Sequence, residues 1–201
     1  MRLIGITGGV GAGKSEVLSF IKEHYRCKIY LADEVAKEIQ QPGQSCYEEM
    51  VTLLGRDVLG EDGRLDNGKV AGKIFSDKDL LLAVNGIVHP KVREYLETAV
   101  RRAQADGWTE LFFMEAALLI ENGYKSLVDE MWYVYAPEEV RRERLKNNRG
   151  YSDEKISRIM ESQLTEKLFR ENSDFIIDNS GAAGKAYNQI KKRLEAYTWQ
   201  E

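Results

Sequence analysis

The chain has 201 residues, of which 43% are hydrophobic and 31% are charged, and its formal net charge is −4. This size and balance predict a globular protein that buries a core without disulfides or metals, and the negative charge provides no overall basic surface for nucleic acid. No apolar run approaches the ~20 residues needed to cross a bilayer, so no membrane-spanning helix is predicted.

Short apolar runs alternate with longer helical patterns along the chain, which is typical of an α/β fold with a largely parallel sheet. The first strand is predicted over Arg2–Thr7 and the first helix over Lys14–His24. A second short strand, Lys28–Leu31, ends just before Asp33.

The pattern changes from Glu34 to about Asp106, where apolar residues recur at helical spacing. Turns interrupt it at Pro42-Gly43 and at Glu61-Asp62-Gly63. We expect this segment to be a helical insertion that covers the edge of the sheet.

Strand patterns return in the last part of the chain, at Leu111–Met114, Met131–Tyr135 and Phe175–Ile177. Helices are expected after them, over roughly Pro137–Lys146, Ser152–Glu171 and Ala182–Tyr197. Ser152 is a predicted helix cap, and the acidic pair Asp153-Glu154 suits the positive end of the helix dipole.

The most informative segment is Gly8-Gly9-Val10-Gly11-Ala12-Gly13-Lys14-Ser15, which satisfies the phosphate-loop pattern G-x-x-x-x-G-K-[ST]. It follows an apolar strand and opens a helix, as that motif requires. The glycines allow backbone N–H groups to turn inward toward phosphate, and the helix adds its positive end. Lys14 is expected to neutralise the β- and γ-phosphates, and the Ser15 hydroxyl to hold Mg²⁺. ATP and Mg²⁺ are therefore the predicted cofactors.

Phosphate loops serve GTPases and motor ATPases as well as kinases. The Asn-Lys-x-Asp motif that reads guanine is absent here. Asp57-Val58-Leu59-Gly60 matches the DxxG switch of GTPases, but it lies in the turn-rich helical region and is interpreted as a loop. These features favour a small-molecule kinase.

Several further residues have two interpretations. Asp33 is either the base that takes a proton from an attacking hydroxyl or the N-cap of the following helix. Glu115 either assists Mg²⁺ or simply ends its strand. Arg141 and Arg144, three apart on one helix face, suit a lid over the transferring phosphoryl group, whereas Arg142 and Lys146 also fit a solvated helix surface with pairs to Glu138, Glu139 and Glu143.

The location is expected to be cytoplasmic. The apolar run from Leu3 to Ile6 is too short for a signal-peptide core. Cys27 and Cys46 have neither CxxC nor metal-ligand spacing and are interpreted as reduced thiols. We expect a small-molecule partner, no nucleic acid, no membrane, and a monomer or weak homo-oligomer.

From Leu3 to about Gly181 the sequence resembles the dephospho-CoA kinase family, whose members catalyse the last step of coenzyme A synthesis. The segments that carry the resemblance occur in the family's order: Gly5 to Ser15, Leu31-Ala32-Asp33, His89-Pro90, Glu115 to Glu121, Arg144-Leu145, Gln163 with Lys167, and Ile177-Asp178-Asn179.

The resemblance implies a P-loop fold with three parts: a nucleotide-binding core (about 1–33 and 108–201), a helical insertion for the CoA substrate (about 34–107) and a lid (about 141–152). It implies phosphoryl transfer from ATP to the ribose 3′-hydroxyl of dephospho-CoA.

The family's functional positions fall on matching residues of this chain. The catalytic positions are Asp33, Lys14 and Arg144, and the lid arginines are Arg141, Arg144 and Arg149. The ATP-binding positions are Gly9, Val10, Gly11, Ala12, Gly13, Lys14, Ser15, Glu16 and Asn179. The substrate positions are Asp33, His89, Pro90, Leu118 and Glu121, with His89 alternatively marking a helix boundary before Pro90. The metal positions are Ser15 and Glu115.

Three residues depart from the family pattern. Leu31 replaces the first aspartate of an Asp-Ala-Asp motif, Ala117 replaces a proline, and Asn148 stands where a lid arginine is expected. Arg149 substitutes for that arginine only if the helix is irregular, because a one-residue shift rotates a side chain by about 100°. A kinase for another small-molecule hydroxyl and a non-catalytic nucleotide- or CoA-binding module therefore remain as alternatives.

Overall fold

The computed structural model describes residues 1–75, 77–116, 119–121 and 123–197. The chain divides into two compact units, one formed by Met1–Ile29 with Trp108–Glu201 and the other by Tyr30–Gly107. Among the described residues, no helix combines the length and the apolar character that a membrane crossing requires.

Strands and helices alternate along the chain. The strands are β1 (Arg2–Thr7), β2 (Cys27–Leu31), β3 (Leu111–Glu115), β4 (Glu130–Tyr135) and β5 (Phe175–Asp178). The helices are α1 (Lys14–His24), α2 (Ala32–Ile39), α3 (Ser45–Leu54), α4 (Asn67–Phe75), α5 (Lys78–Ala105), α6 (Glu138–Arg149), α7 (Asp153–Glu161), α8 (Glu166–Glu171) and α9 (Ala183–Glu195).

The strands form one sheet in the order β2-β3-β1-β4-β5. β1 pairs in parallel with β3 and β4, and β4 pairs in parallel with β5. The predicted α/β fold is therefore confirmed, and each predicted strand agrees with the observed one to within one residue at either end. β1 is the central strand, so the loop that follows it emerges at the middle of the carboxyl edge.

The core of the first unit lies against this sheet. β1, β3 and β4 are runs of buried apolar residues, because a parallel sheet is covered on both faces. Trp132 has no exposed surface and meets Phe113 and Phe175 edge to face, with ring centroids 5.8 and 5.1 Å away. Each such aromatic pair contributes about 0.5–1.5 kcal/mol beyond the area that it buries.

One predicted helix is two. The expected helix Ser152–Glu171 is interrupted after Glu161, and a new one begins at Glu166. The Ser152 cap is confirmed, since its hydroxyl accepts from the Lys155 N–H. Thr165 caps the second helix in the same way, accepting from the Leu168 N–H. Thr165 is a preferred N-cap residue and is the local sequence signal for the start of this second helix.

The second unit is helical, as predicted, with turns at both expected places. Its longest helix, α5, packs against α2, α3 and α4. In the second half of α5 the buried residues recur three or four positions apart, at Val92, Leu96, Ala99 and Ala103, and Val84 is buried in the first half.

Pro90 lies inside α5, so the interpretation of His89 as the residue before a helix boundary is wrong. A proline in a helix interior costs about 3 kcal/mol. The apolar face that α5 buries on both sides of Pro90 offsets this cost. The DxxG-like segment is a short 3₁₀ turn, Arg56–Val58, followed by an isolated bridge from Leu59 to Leu65, and Asp57 pairs with Lys73 at 2.8 Å. It does not end a strand, which agrees with its interpretation as a loop.

A buried carboxylate joins α9 to the start of β4. Glu130 accepts hydrogen bonds from the Trp132 indole at 2.9 Å and from the Arg193 guanidinium at 2.9 and 3.1 Å. Burial raises the pKa of Glu130, but the hydrogen bonds from Trp132, Tyr197 and Arg193 outweigh burial and hold the pKa below its ordinary value of 4.5.

We expect Glu130→Gln to destabilise the protein by about 1–3 kcal/mol at neutral pH, because the Arg193 guanidinium loses its charged partner. A lowered folded-state pKa contributes stability that is present above the unfolded-state value and is lost as pH falls through the folded-state value. The difference in unfolding free energy between wild type and variant should therefore shrink below about pH 4.5. Urea unfolding at several pH values measures it, with the exposed Glu161→Gln as control; a difference that is independent of pH would contradict the prediction.

Candidate phosphate-binding site

The loop between β1 and α1 has the backbone that a phosphate cradle needs. Gly11 and Gly13 have φ values of +78° and +92°, in the region that side chains rarely adopt. A Cβ atom at Gly11 would come within 2.8 Å of the Arg141 carbonyl oxygen, and one at Gly13 would collide with the Asn179 amide. Only glycine fits at these two positions.

The N–H groups at the end of this loop are open donors. Gly13 is the N-cap of α1 and makes no side-chain capping bond. Among the described residues, nothing accepts from the backbone N–H groups of Gly13, Lys14 and Ser15. Three unpaired donors at the positive end of a helix form a site for an anion.

The Lys14 ammonium lies over the opposite arm of the loop. Its Nζ atom donates to the Gly8 carbonyl at 2.8 Å and lies 3.5 Å from the Glu115 carboxylate. Glu115 ends β3, and its Cα pairs in register with that of Ile6 on β1. The sheet register therefore sets Glu115 beside the loop, where it balances part of the charge on Lys14.

The donor set fits a magnesium ion that is shared with a phosphate ligand. The described residues contain no group of three or more His, Cys, Asp or Glu that could hold a metal by themselves. Mg²⁺ is usually bound by one or two protein oxygens together with phosphate oxygens and water. The exposed Ser15 hydroxyl, in the first turn of α1, and the Glu115 carboxylate are oxygens of that kind.

Two arginines of α6 face the loop, but they differ in their partners. Arg144 donates to the backbone carbonyls of Asn179 at 2.9 Å and Ala12 at 3.3 Å. Arg141 places its guanidinium against Gly9, and its buried Nε atom has no hydrogen-bond partner. No carboxylate within the described ranges pairs with Arg141, so its charge over the loop is not neutralised. A partly buried, unpaired guanidinium is costly and indicates an anionic ligand.

Asn179 ties the end of β5 to the loop. Its side chain is 2% exposed, and its Nδ2 atom donates to the Ala12 carbonyl at 2.9 Å. Its own N–H donates to the Tyr135 carbonyl on β4. Asn179, predicted as an ATP-binding residue, thus acts in this structure on the shape of the loop.

The remaining basic residues of α6 lie away from the loop. The helix is regular through Arg149 and ends at Gly150, so the condition under which Arg149 would take the role of Asn148 is not met. Arg149 and Asn148 are both exposed. Arg142 pairs with Glu138 at 2.7 Å, as expected for a solvated helix face, whereas Lys146 pairs with Asp153 at 2.8 Å rather than with a glutamate of α6.

One loop contact was not predicted from the sequence. The Gln163 Oε1 atom accepts from the Val10 N–H at 3.0 Å. Gln163 lies in the link between α7 and α8, the link that the single predicted helix concealed. The family resemblance had singled out Gln163 without assigning it a contact.

The predicted acceptor-side residues occur at exposed or half-buried positions. Asp33 is exposed in the first turn of α2, whose N-cap is Leu31, so the interpretation of Asp33 as the N-cap is wrong. In α5, His89 is half-buried and Pro90 is exposed.

Two further predicted residues, Glu16 and Glu121, lie in the first unit. Both are exposed, and Glu16 accepts from the Tyr187 hydroxyl at 3.4 Å. Leu118, like the departure at Ala117, lies outside the described residues.

Comparison with known proteins gives consistent matches over nearly the whole chain. The model of the dephospho-CoA kinase family matches residues 2–185. A dephospho-CoA kinase from Carboxydothermus hydrogenoformans is 34% identical, over 99% of this chain and 96% of its own length. Another from Aquifex aeolicus is also 34% identical, over 98% of each chain. The crystal structure of TT1252 from Thermus thermophilus superposes with a TM-score of 0.83 at 29% identity, covering 97% of this chain and 96% of that one.

We expect Arg141→Ala to weaken binding of inorganic tripolyphosphate by at least ~10-fold, because a charge-assisted contact is lost. Its melting temperature should not fall, since the Arg141 side chain has no hydrogen-bond partner in the described structure. Isothermal titration calorimetry and thermal unfolding measure the two effects.

The neighbouring Arg142→Ala is the matched control. It removes the same charge from the same helix but breaks the surface pair with Glu138, worth about 0.3–0.5 kcal/mol. Tripolyphosphate affinity should stay close to that of wild type. Equal losses in both variants would mean that only the net charge matters and that Arg141 does not face the anion.

Proposed function

The chain belongs to the dephospho-CoA kinase family, and we propose that it transfers the γ-phosphoryl group of ATP to the ribose 3′-hydroxyl of dephospho-CoA. The products are coenzyme A and ADP, which makes this the final step of coenzyme A synthesis. One observation carries the proposal: open N–H donors and the unneutralised Arg141 guanidinium surround one loop that continues into α1.

The residues that we assign to the phosphates of ATP all belong to the first unit. The N–H groups of Gly13, Lys14 and Ser15 bind phosphate oxygens of ATP, and the Lys14 ammonium reaches the β- and γ-phosphates. Arg141 stabilises the charge that spreads over the transferring group. Most of the rate enhancement comes from such positioning and preorganised charge. When bound, Mg²⁺ neutralises phosphate charge, and the residues that would hold it are Ser15 and Glu115.

Arg144 was expected to contact the transferring phosphoryl group as a lid arginine, but its contacts suggest a structural role in the loop. Its guanidinium is occupied by two backbone carbonyls. We infer that it stabilises the shape of the loop, with Asn179, and that Arg141 is the arginine that meets the phosphoryl group. Both belong to the segment 141–152 that we assign as the lid.

Asp33 is the proposed base. It accepts the proton of the 3′-hydroxyl while that oxygen forms a bond to the γ-phosphorus, and the bond to the bridging oxygen breaks as ADP leaves. Its carboxylate is solvent-exposed at the start of α2 and is therefore available to a ligand.

The acceptor-binding region is assigned by the family resemblance. We assign the helical second unit to the acceptor, with His89 and Pro90 as contacts, and the resemblance adds Leu118 and Glu121. The monomeric or weakly oligomeric state and the cytoplasmic location stay predictions.

We expect Asp33→Asn to lower kcat by about 10²–10⁴, because asparagine cannot accept the proton. ATP affinity should change little, since Asp33 belongs to the acceptor side of the reaction. The assay couples ADP release to dephospho-CoA and identifies the product by the added phosphoryl group. Glu34→Gln, in the same exposed helical turn, is the control and should retain wild-type kcat.

A panel of acceptor alcohols tests the choice of substrate. Because α6 offers no substitute for the arginine missing at Asn148, a kinase for a related hydroxyl is the second candidate. A better acceptor than dephospho-CoA would establish it. Absence of phosphoryl transfer to any acceptor by the folded wild-type protein with ATP and Mg²⁺ would reject both kinase assignments.

A further inference from the structure

The side-chain amide of Gln163 holds the phosphate loop from the outside. Its Oε1 atom accepts from the Val10 N–H at 3.0 Å, and both residues are half-buried. The Gln163 backbone is itself anchored, because its N–H donates to the Met160 carbonyl at the end of α7. The link between α7 and α8 thus delivers one polar group to the loop.

The contact with Val10 determines which way the amide of Gln163 faces. A backbone N–H can only donate, so the atom that meets it must be the carbonyl oxygen of the amide and not the nitrogen. The Nε2 group then points away from Val10 with both of its N–H bonds. Among the described residues nothing accepts from it. Gln163 therefore presents two oriented donors that no described part of the chain uses.

The amide that carries these donors lies at the Gly8–Val10 arm of the loop. The Lys14 ammonium, which in this motif reaches the β- and γ-phosphates, is bonded to the Gly8 carbonyl on that arm. Gly9 follows directly, and a Cβ atom built on it would lie 3.4 Å from Gln163 Oε1 and would collide with the Arg141 guanidinium. Gln163, Arg141 and Lys14 therefore converge on the Gly8–Val10 arm, opposite the N–H groups at the start of α1.

We propose that Gln163 is a γ-phosphate-binding residue: its oxygen is held by the Val10 N–H, and its Nε2 group donates to an oxygen of the transferring phosphoryl group. The inference rests on the proposed function, in that it takes ATP as the phosphoryl donor. It adds a specific consequence, because ADP has no γ-phosphate. Gln163 therefore adds to the preference of the site for ATP over ADP, beyond what Lys14 and Arg141 contribute.

The variant Gln163→Glu tests the accepting and the donating ends of the amide separately. A carboxylate of the same size still accepts from the Val10 N–H, so the tie to the loop is kept, but a negative acceptor replaces the donor. We expect ATP affinity to fall ~10- to 100-fold, the scale of a hydrogen bond to a charged group. ADP affinity and the melting temperature should stay close to those of wild type. Calorimetric titration of each protein with ATP and with ADP measures the change in preference.

Two further variants control for the negative charge that Gln163→Glu introduces. The double variant Glu161→Gln with Gln163→Glu restores the net charge by changing an exposed residue nearby, and it should show the same loss for ATP. Gln163→Met is neutral and of similar length, and it gives Arg141 no carboxylate to pair with. It should also show a smaller preference for ATP over ADP than wild type does.

Two outcomes overturn the proposal. Wild-type ATP affinity in a folded Gln163→Glu or Gln163→Met variant would mean that the Nε2 group has no phosphate partner. Equal losses for ATP and ADP would mean that Gln163 only supports the shape of the loop. Both results are independent of the acceptor, so a wild-type protein that binds ATP but does not phosphorylate dephospho-CoA would reject the proposed function and leave this inference standing.

Discussion

The site depends on one constraint: a loop that turns its N–H groups toward a ligand must turn its carbonyl groups toward the protein, and those carbonyls need donors. Here the Ala12 carbonyl accepts from Asn179 Nδ2 and Arg144, and the Gly8 carbonyl accepts from Lys14. These donors come from three separate places in the first unit: α1, α6 and the residue after β5. β5 ends at the point where Asn179 can reach the loop, and α6 lies across it with Arg144 directed inward.

Electrostatic balance follows from the same arrangement. Lys14 has a nearby carboxylate, Glu115, whereas Arg141 has no acceptor in the described structure. The positive charge over the loop therefore exceeds what the folded chain neutralises locally, although the chain as a whole is acidic. Such a site binds an anion favourably, because burying an unpaired cation is costly and a bound phosphate removes that cost.

The helical segment that follows β4 supplies further side chains to the phosphate loop. α6 contributes one arginine to the protein and one to the site, and the break between α7 and α8 brings Gln163 to the loop. The interruption places Gln163 in the link, outside both helices. Thr165, two residues after Gln163, caps α8 and so sets where the link that carries Gln163 ends.

Local structure could be predicted from the sequence because it depends on residues that are neighbours along the chain. The strands, the first helix, the phosphate loop and the Ser152 cap follow from apolar runs, glycine spacing and capping residues, and all were predicted. The partners of each charged group were not, because they join residues far apart in sequence. Arg141 and Arg144 look equivalent on a helical wheel, yet only packing of α6 on the loop gives one two carbonyls and leaves the other unpaired. Likewise, the resemblance marked Gln163, but its bond to Val10, 153 residues away, exists only in the folded chain.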